Sequence, residues 1–228
     1  MAHIAVLGAT GRTGREIVVR ALAKGHHVTA LVRRPDALGV EDEHLSVVVG
    51  DATDRDAIDR VLDGVDAVVS SLGRPAAGFT RAEIDDGEEV YVCETSTRHL
   101  FDLGPAHGVD RMFFMSTHGA GTSNDGSPYV VRLLELVGNR VVDKDRMEAF
   151  LAASDAPIRW TVCRNPYIYE GPVGQPHGVH ESIELDSSSQ VTYADLAEFA
   201  IGEVLDPQYA GKFLTITEPL DPARRRPQ

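Results

Sequence analysis

The sequence predicts an α/β domain in which a doubly wound parallel sheet is flanked by helices. Short apolar runs alternate along the chain with segments whose apolar residues recur at helical spacing, and glycine or proline separates many of these segments. The length of 228 residues suits one such domain and is short for two. We therefore expect residues 1–228 to form a single domain.

Predicted strands and helices alternate from the start of the chain to its end. Apolar runs predict strands at residues 4–7, 27–32, 46–49, 67–71, 112–116, 158–163 and 212–217. Helical spacing predicts helices at residues 15–23, 55–62, about 88–106, 140–153 and 192–204. Because helices join successive strands, we expect right-handed crossovers and a parallel sheet.

Three segments lack either periodicity, namely residues 73–86, 118–127 and 165–189. Each follows a predicted strand at the carboxyl edge of the sheet, where doubly wound proteins bind ligands. Residues 165–189 are long for a loop in a compact domain. We expect them to form a lid or substrate wall within a small C-terminal substrate-side portion, followed by a frayed tail at residues 218–228.

Composition argues against several classes of function. The formal net charge of −13 disfavours nucleic acid or an anionic membrane as the main partner, because both require a basic face. No apolar run approaches the ~20 residues of a membrane helix, and no targeting signal precedes the first strand, so we expect a cytoplasmic protein. Cys93 and Cys163 make no disulfide framework, and the pair His177 and His180 does not amount to a metal site.

The strongest signal is a glycine-rich turn between the first strand and the first helix. It comprises Gly8, Ala9, Thr10, Gly11, Arg12, Thr13 and Gly14. Glycines in such a turn permit a tight bend, a close approach to a pyrophosphate and close packing of helix on strand, while N–H groups at the helix start receive the phosphates. The turn predicts a Rossmann-like domain that binds a dinucleotide. The alternative is a glycine-rich turn without a ligand.

The end of the second strand predicts which dinucleotide is bound. An acidic residue there would hold a ribose 2′-hydroxyl, but the sequence places Arg33 and Arg34 at this point. These arginines, with Arg12 in the glycine turn, would bind a 2′-phosphate through charge-assisted hydrogen bonds. We therefore predict NADP(H) as the cofactor. The alternative is that Arg33 and Arg34 are solvated surface side chains.

The ends of the third and fourth strands complete the predicted cofactor site. Asp51 and Ala52 follow the third strand, where a carboxylate suits the adenine amino group. For Asp51, a role as N-cap of the next helix is an equally good interpretation. The residues after the fourth strand, where a cofactor backbone would pass, are Ser71, Leu72 and Gly73.

These features, together with later segments, resemble the atypical short-chain dehydrogenases/reductases. The segments that carry the resemblance are residues 8–14, 33–34, 50–52, 108–117, 160–166 and 191–199. The most similar group is the NmrA-like one that includes flavin reductase (biliverdin reductase B)-like NAD(P)-binding proteins. Residues 171–174 and 191–197 are more particular to this group, and the similarity spans about residues 3–217.

The resemblance also implies candidate catalytic residues. In the wider superfamily a Ser or Thr after the fifth strand acts with a Tyr-x-x-x-Lys motif on the next helix. By this resemblance Ser116 or Thr117 would take the first role and Lys144 the role of the lysine. Arg140 stands at the tyrosine position, so the motif is broken. Tyr129 has no lysine four residues after it, and we assign it no general-acid role.

The broken motif argues against carbonyl or alcohol chemistry that needs a phenolic acid. It fits the reduction of a conjugated acceptor, which can take its proton from water, while the protein mainly positions the cofactor. The resemblance implies that Asn165, Pro166 and Tyr167 line the nicotinamide pocket. Tyr167 would stack on a flat acceptor, donate a proton, or simply pack beneath the lid.

The predicted function is that of an NADPH-dependent reductase of a small conjugated acceptor, such as a flavin, a quinone or a tetrapyrrole-like molecule. We expect it to act as a monomer or homodimer. The alternative is a non-catalytic NADP(H)-binding redox sensor or regulator of the NmrA type. A third interpretation is an isomerase or dehydratase that uses a bound cofactor transiently.

Overall fold

A computed structural model describes residues 1–73, 91–138 and 140–221. Its strands are β1 His3–Leu7, β2 His27–Val32, β3 Leu45–Val49, β4 Ala67–Ser70, β5 Arg111–Thr117, β6 Arg159–Asn165, β7 Tyr167–Tyr169, β8 Gly178–His180, β9 Gln190–Thr192 and β10 Lys212–Thr217. Its helices are α1 Arg12–Ala23, α2 Arg55–Val61, α3 Val92–Leu103, α4 Pro128–Val137, α5 Arg140–Ala153 and α6 Tyr193–Leu205.

The main sheet has eight strands in the order β3-β2-β1-β4-β5-β6-β10-β8. Neighbouring strands are parallel except β8, which pairs antiparallel with β10 at the edge. The order reverses between β1 and β4, and a doubly wound sheet binds ligands at that switch point. The predicted fold class is therefore confirmed, and the glycine turn after β1 lies at the switch point.

Apolar side chains cover both faces of the sheet. One face packs under α1 and α6 through residues that include Ile4, Val6, Phe113 and Met115. The other packs under α2, α3 and α5 through residues that include Ala5, Leu7, Met112 and Phe114. This two-sided burial explains why these strands are continuously apolar in sequence, as parallel strands covered by helices are.

Two predictions about local structure were wrong. Residues 128–137 form the helix α4, which starts at Pro128 after the N-cap Ser127, although no helix was predicted there. Arg132 and Glu135, three residues apart, mark a polar side on α4, so helical spacing was present in this segment and the prediction missed it. Residues 165–189, predicted as a loop, contain β7 and β8. These short strands form because β9 and β10, much later in the chain, pair with them.

The start of α1 and the end of α3 differ from their predicted positions. The helix α1 begins earlier than predicted because Gly11 serves as its N-cap. The helix α3 ends at Leu103, and Gly104–His107 continues as a 3₁₀ turn that contains Pro105. Most of the predicted segment 73–86 and the predicted start of the third helix at residue 88 lie outside the described residues, as does most of the tail at 218–228.

A buried carboxylate fixes part of the segment that follows β7. Asp195, near the start of α6, accepts hydrogen bonds from the backbone N–H groups of Gly174 at 2.6 Å and Gln175 at 3.2 Å. It also accepts from the hydroxyl of Thr192, which in turn caps the helix by accepting from the Asp195 N–H. The two segments most particular to the NmrA-like group, residues 171–174 and 191–197, therefore meet at Asp195.

We predict that Asp195→Asn lowers the free energy of unfolding by about 1–3 kcal/mol, because an amide cannot accept from all the donors around this buried carboxylate. Urea denaturation measures the change, and limited proteolysis should show earlier cleavage near residues 171–175. Glu198→Gln is the matched control. Glu198 lies on the same helix and pairs with Arg20 and Lys24 near the surface, where ion pairs contribute about 0–1 kcal/mol. Equal losses in the two variants would contradict the prediction.

Candidate functional site

Two of the three glycines in the glycine turn lie so close to other backbone atoms that no side chain fits there. Gly8 has a φ of +78°, and a Cβ there would lie 2.5 Å from the carbonyl oxygen of Ser71. A Cβ at Gly14 would lie 2.1 Å from the carbonyl oxygen of Gly8. At Gly11 the nearest described atom would be that same oxygen, at 3.3 Å. Gly8 and Gly14 are therefore required for packing, whereas Gly11 is exposed and a Cβ there would press on a single backbone oxygen without a collision.

The start of α1 is open to an anion. Gly11 is its N-cap, no side chain caps the helix, and no acidic residue stands in its first turn. The N–H groups of a first helical turn carry partial positive charge, so a negatively charged group is favoured there. Of the other turn residues, Ala9 is buried, Thr10 and Arg12 are exposed, and Thr13 is half-buried.

Arg12 and Arg33 have different neighbours. The Arg12 guanidinium lies over the ring of Tyr193, 5.0 Å from its centroid, so it faces the start of α6. Burial raises the pKa of Tyr193, and the Arg12 charge partly offsets this rise. Arg33 and Arg34 are exposed where β2 ends. The charge of Arg33 acts instead on Asp51, after β3.

Asp51 shapes a turn and does not cap α2. Its carboxylate accepts from the N–H of Thr53 at 2.9 Å and from the Thr53 hydroxyl at 2.8 Å. The Thr53 N–H is the main cause of the lowered pKa of Asp51, with a smaller contribution from Arg33. The N-cap of α2 is Asp54, whose side chain accepts from the N–H of Asp56. The N-cap interpretation of Asp51 was therefore wrong, since the turn places Asp54 at that position.

Lys144 on α5 joins the carboxyl ends of β4 and β5. Its Nζ donates to the carbonyl oxygens of Leu72 at 2.7 Å and Met115 at 2.6 Å. The Leu72 carbonyl follows β4, next to Ser71, which packs against Gly8, and to the exposed Gly73. Burial raises the pKa of the neighbouring Cys93 thiol to about 11, and the Lys144 ammonium, which also interacts with that thiol, partly offsets the rise.

Ser116 belongs to a buried polar network. Its hydroxyl donates to Glu148 Oε1 at 2.5 Å, and Glu148 forms an ion pair with Arg164 in which Nη2 and Oε2 lie 2.6 Å apart. All three residues are buried, and Arg164 also donates to the hydroxyl of Thr122. Thr117 is half-buried, and its hydroxyl donates to the carbonyl oxygen of His118. The superfamily serine position is thus held by a carboxylate that our sequence reasoning missed.

The carboxyl end of β6 supplies a polar atom without a partner. The side-chain Oδ1 of Asn165 is buried and has no hydrogen-bond partner among residues 1–73, 91–138 and 140–221. Its Nδ2 lies 3.7 Å from the sulfur of Met115. Pro166 is buried, and Tyr167 follows in β7 with 49% of its surface exposed. Asn165 therefore comes close to the strand end that Lys144 holds, while Tyr167 borders solvent.

His118 is a second buried polar residue that sequence reasoning missed. Its Nδ1 lies 3.1 Å from the hydroxyl oxygen of Thr215 in β10, and its Nε2 is without a partner in the described part of the chain. Burial is the main cause of its lowered pKa, to which the Arg164 charge adds while Asp125 opposes it. A single histidine after a strand matches no motif, so only the pairing of distant strands reveals it.

The described residues contain neither a cluster of metal ligands nor a membrane-spanning helix. Within 1–73, 91–138 and 140–221, no group of three or more His, Cys, Asp or Glu side chains is arranged to hold a metal ion. No helix in the same ranges combines the length and apolar character needed to cross a membrane.

Several known proteins are similar to this chain. It is 35% identical over 121 residues to the L-arabinose 1-dehydrogenase (NAD(P)(+)) of Haloferax volcanii, an overlap of 52% of this chain and 42% of that protein. The chain thus spans less than half the length of that relative. It is 25% identical over 222 residues to the uncharacterized protein YwnB of Bacillus subtilis, covering 93% of this chain and 97% of YwnB.

A solved structure shares the fold. ChuY from Escherichia coli O157:H7, described as an anaerobillin reductase, superposes with a TM-score of 0.77 at 20% sequence identity. The superposition covers 96% of this chain and 99% of ChuY.

A family model described as NAD(P)H-binding matches residues 8–207. The match begins at the first glycine of the turn and extends beyond the end of α6. It therefore includes the strand ends that Lys144 joins, the Glu148–Arg164 pair and Asn165. With the shared fold, it confirms the resemblance to atypical short-chain dehydrogenases/reductases. The chain belongs to the NAD(P)H-binding family.

Proposed function

We propose that this protein is an NADPH-dependent reductase that transfers a hydride to a small conjugated acceptor, such as a flavin, a quinone or a tetrapyrrole-like molecule. The observation that carries the proposal is that Lys144 and Asn165 both contact Met115 where β5 and β6 end, Lys144 at its carbonyl oxygen and Asn165 at its sulfur. Lys144 brings a positive charge to this strand end, and Asn165 Oδ1 is a buried acceptor without a partner among the described residues. A nicotinamide ribose offers hydroxyl oxygens, and a nicotinamide carboxamide offers N–H donors.

The rest of the site also fits a dinucleotide. The turn contributes Gly8, Ala9, Thr10, Gly11, Arg12, Thr13 and Gly14, and its open helix start would receive the pyrophosphate. Asp51 and Ala52 would border the adenine, and Ser71, Leu72 and Gly73 would border the middle of the cofactor. A bound NADPH would supply the hydride and its electron pair. The residues of the chain would hold the reacting groups together and exclude water between them.

The choice of NADPH over NADH rests on charge. Arg33 and Arg34 are exposed at the end of β2, and no acidic side chain stands at that point to hold a 2′-hydroxyl. The Arg33 charge lowers the pKa of the Asp51 carboxyl. The Asp51 carboxylate already accepts a hydrogen bond from the N–H of Thr53. A 2′-phosphate would therefore meet guanidinium groups.

The acceptor class follows from the missing phenolic acid. Arg140 takes the place of the superfamily tyrosine, and the Ser116 hydroxyl is engaged by Glu148. An acceptor that delocalises the incoming charge needs no such acid and takes its proton from water. Thr117 and the half-exposed Tyr167 would border this acceptor, with Pro166 below them. The shared fold with ChuY, described as a reductase, supports the same class of reaction.

The engaged Ser116 also favours a second candidate function, a non-catalytic NADP(H)-binding sensor. Oxidation of NADPH, followed at 340 nm with FMN, FAD and a panel of small quinones, separates the two functions. The reductase proposal expects turnover that saturates with at least one acceptor. Tight binding of NADPH without turnover on any acceptor would instead support the sensor.

We predict that NADPH binds at least about tenfold more tightly than NADH, a difference of about 1.4 kcal/mol. Replacing Arg33 and Arg34 by Ala should remove most of this preference, because the 2′-phosphate loses its charged donors. Titration of cofactor fluorescence measures both constants. The matched control is Arg20→Ala with Arg159→Ala, which removes the same charge at the end of α1 and the start of β6. Equal affinities for the two cofactors in the unchanged protein would refute the prediction.

We predict that Gly11→Val abolishes NADPH binding, since its side chain would fill the space that a pyrophosphate must approach. Gly11→Ala should weaken binding less. Both variants should stay folded, because the φ of Gly11 is −74° and a Cβ there would approach one backbone oxygen, at 3.3 Å. Gly14→Ala is the contrasting variant: its Cβ would collide with the Gly8 backbone, so its melting temperature should fall. Calorimetric titration and thermal denaturation measure the two effects. Unchanged affinity in a folded Gly11→Val protein would show that the phosphates bind elsewhere.

A further inference from the structure

The guanidinium group of Arg12 is directed away from the strand ends proposed to hold the adenosine. It lies over the ring of Tyr193 at the start of α6, 5.0 Å from the ring centroid, and Arg12 is exposed. The helix α6 packs against β4 and β5. Arg33 stands at the end of β2, beyond β1, and its charge acts on Asp51. Arg12 therefore faces the side of the glycine turn where the acceptor is proposed to bind.

Tyr193 is a buried side chain whose hydroxyl has no protein partner. Only 7% of Tyr193 is exposed, and its hydroxyl makes no hydrogen bond to any residue that the structure describes. The hydroxyl of a buried tyrosine usually finds a partner, so this one calls for an explanation. The oxygen atom is not fully enclosed by the described chain, so a ligand can reach it.

The groups around the Tyr193 hydroxyl include the tyrosine proposed to border the acceptor. Burial is the main cause of the raised pKa of Tyr193, the Arg12 charge opposes it, and Glu170 and Tyr167 add to it. Such electrostatic effects are strong only between groups that lie close together. With its pKa raised, the phenol keeps its proton at neutral pH and is a hydrogen-bond donor. Arg12 and Tyr193 thus present N–H and O–H donors beside the half-exposed Tyr167.

Arg12 also carries a positive charge that no described carboxylate neutralises by contact. It forms no ion pair within residues 1–73, 91–138 and 140–221, and the exposed Glu170 after β7 acts on Tyr193 from a distance. The formal net charge of −13 disfavours an anion over most of the surface, so an anionic ligand needs a local cation. Guanidinium and phenol donors suit the oxygens of a carboxylate or a phosphate.

We propose that Arg12 and the Tyr193 hydroxyl bind a carboxylate or phosphate group carried by the acceptor. This inference rests on the proposed reductase function, in which the acceptor borders Tyr167. The cofactor pyrophosphate has donors of its own in the N–H groups at the start of α1. The acceptor is then held at two points, its conjugated rings beside Tyr167 and its anionic group at Arg12, which fixes its orientation for hydride transfer.

Two pairs of acceptors test this charge preference, because the members of each pair share their conjugated rings. FMN carries a phosphate that riboflavin lacks, and biliverdin carries carboxylates that its dimethyl ester lacks. We expect the unchanged protein to prefer the anionic member of at least one pair by about tenfold or more in kcat/KM. The absence of such a preference in both pairs would overturn the inference.

Three variants should change this preference in different directions. Arg12→Gln removes the charge and should lower the preference by about tenfold, whereas Tyr193→Phe keeps the ring beneath Arg12 and should lower it by about threefold. Glu170→Gln removes a nearby negative charge and should raise it by about twofold. Glu181→Gln is the matched control, because Glu181 is exposed and pairs with Lys212 at the start of β10. The control should leave the preference unchanged.

The same variants exclude a role for Arg12 at the cofactor alone. If Arg12 served only the pyrophosphate, Arg12→Gln would raise the Kd for NADPH and leave the preference for the anionic acceptor as it was. That result would overturn the inference. Thermal denaturation of Tyr193→Phe checks that the variant is folded, and we expect no loss of stability, since its hydroxyl has no protein partner.

A binding measurement without turnover separates this inference from the proposed function. With NADP⁺ present, flavin fluorescence gives the Kd for FMN and riboflavin, and absorbance gives it for biliverdin and its dimethyl ester. We expect tighter binding of an anionic member, an advantage that Arg12→Gln removes and that added KCl reduces. Equal Kd values within both pairs would overturn the inference. If the anionic member binds more tightly but no acceptor oxidises NADPH, the anion site stands and the proposed reductase function is contradicted.

Discussion

The contact on which the candidate site depends is the Lys144 ammonium group between two backbone carbonyls. Ser70 and Phe114 form the last pair between β4 and β5, and the carbonyls of Leu72 and Met115 lie just beyond it. Lys144 thus continues the link between the strands where their own ladder stops. Since the glycine turn packs against Ser71, this link also sets how the turn lies relative to β5.

Lys144 acts as one part of a polar helix surface. On the same helix, the Asp143 carboxylate accepts from the N–H groups of Cys93 and Glu94 at the start of α3, and Asp145 accepts from the N–H of Gly121 after β5. Glu148 reaches Ser116 and Arg164. Four side chains of α5 therefore fix the chain around the carboxyl edge of the sheet through contacts that do not involve a ligand.

The Glu148–Arg164 pair explains why the superfamily serine cannot be transferred with its usual role. Removing one member of a buried ion pair costs about 3–5 kcal/mol, because the remaining charge is left uncompensated. The Ser116 hydroxyl satisfies one of the Glu148 oxygens, so its hydrogen is committed to this pair. A residue with that duty is poorly placed to donate to a substrate.

The sequence predicted what short segments encode. The strand, turn and helix at residues 3–23 carry their own periodicity and glycine spacing, and the parallel, doubly wound character of the sheet followed from the alternation of strands and helices. It did not predict β8, because a three-residue strand forms only when β10 lies beside it. The helix α4 was missed although Arg132 and Glu135 stand at helical spacing within its apolar sequence. Asp54 displaced Asp51 as the N-cap because the turn at Thr53 is a local detail that spacing alone does not determine.

The candidate site likewise combines residues that are close in sequence with residues that are far apart. The cofactor half is built from neighbours in sequence, so its glycines and arginines can be recognised by spacing. The rest of the carboxyl edge joins residues that lie far apart in sequence. The N–H of His118 donates to Asn165 and its imidazole lies against Thr215 in β10, while Asp195 on α6 holds residues 174–175. No motif links residues that far apart, so only the assembled sheet shows which of them are neighbours.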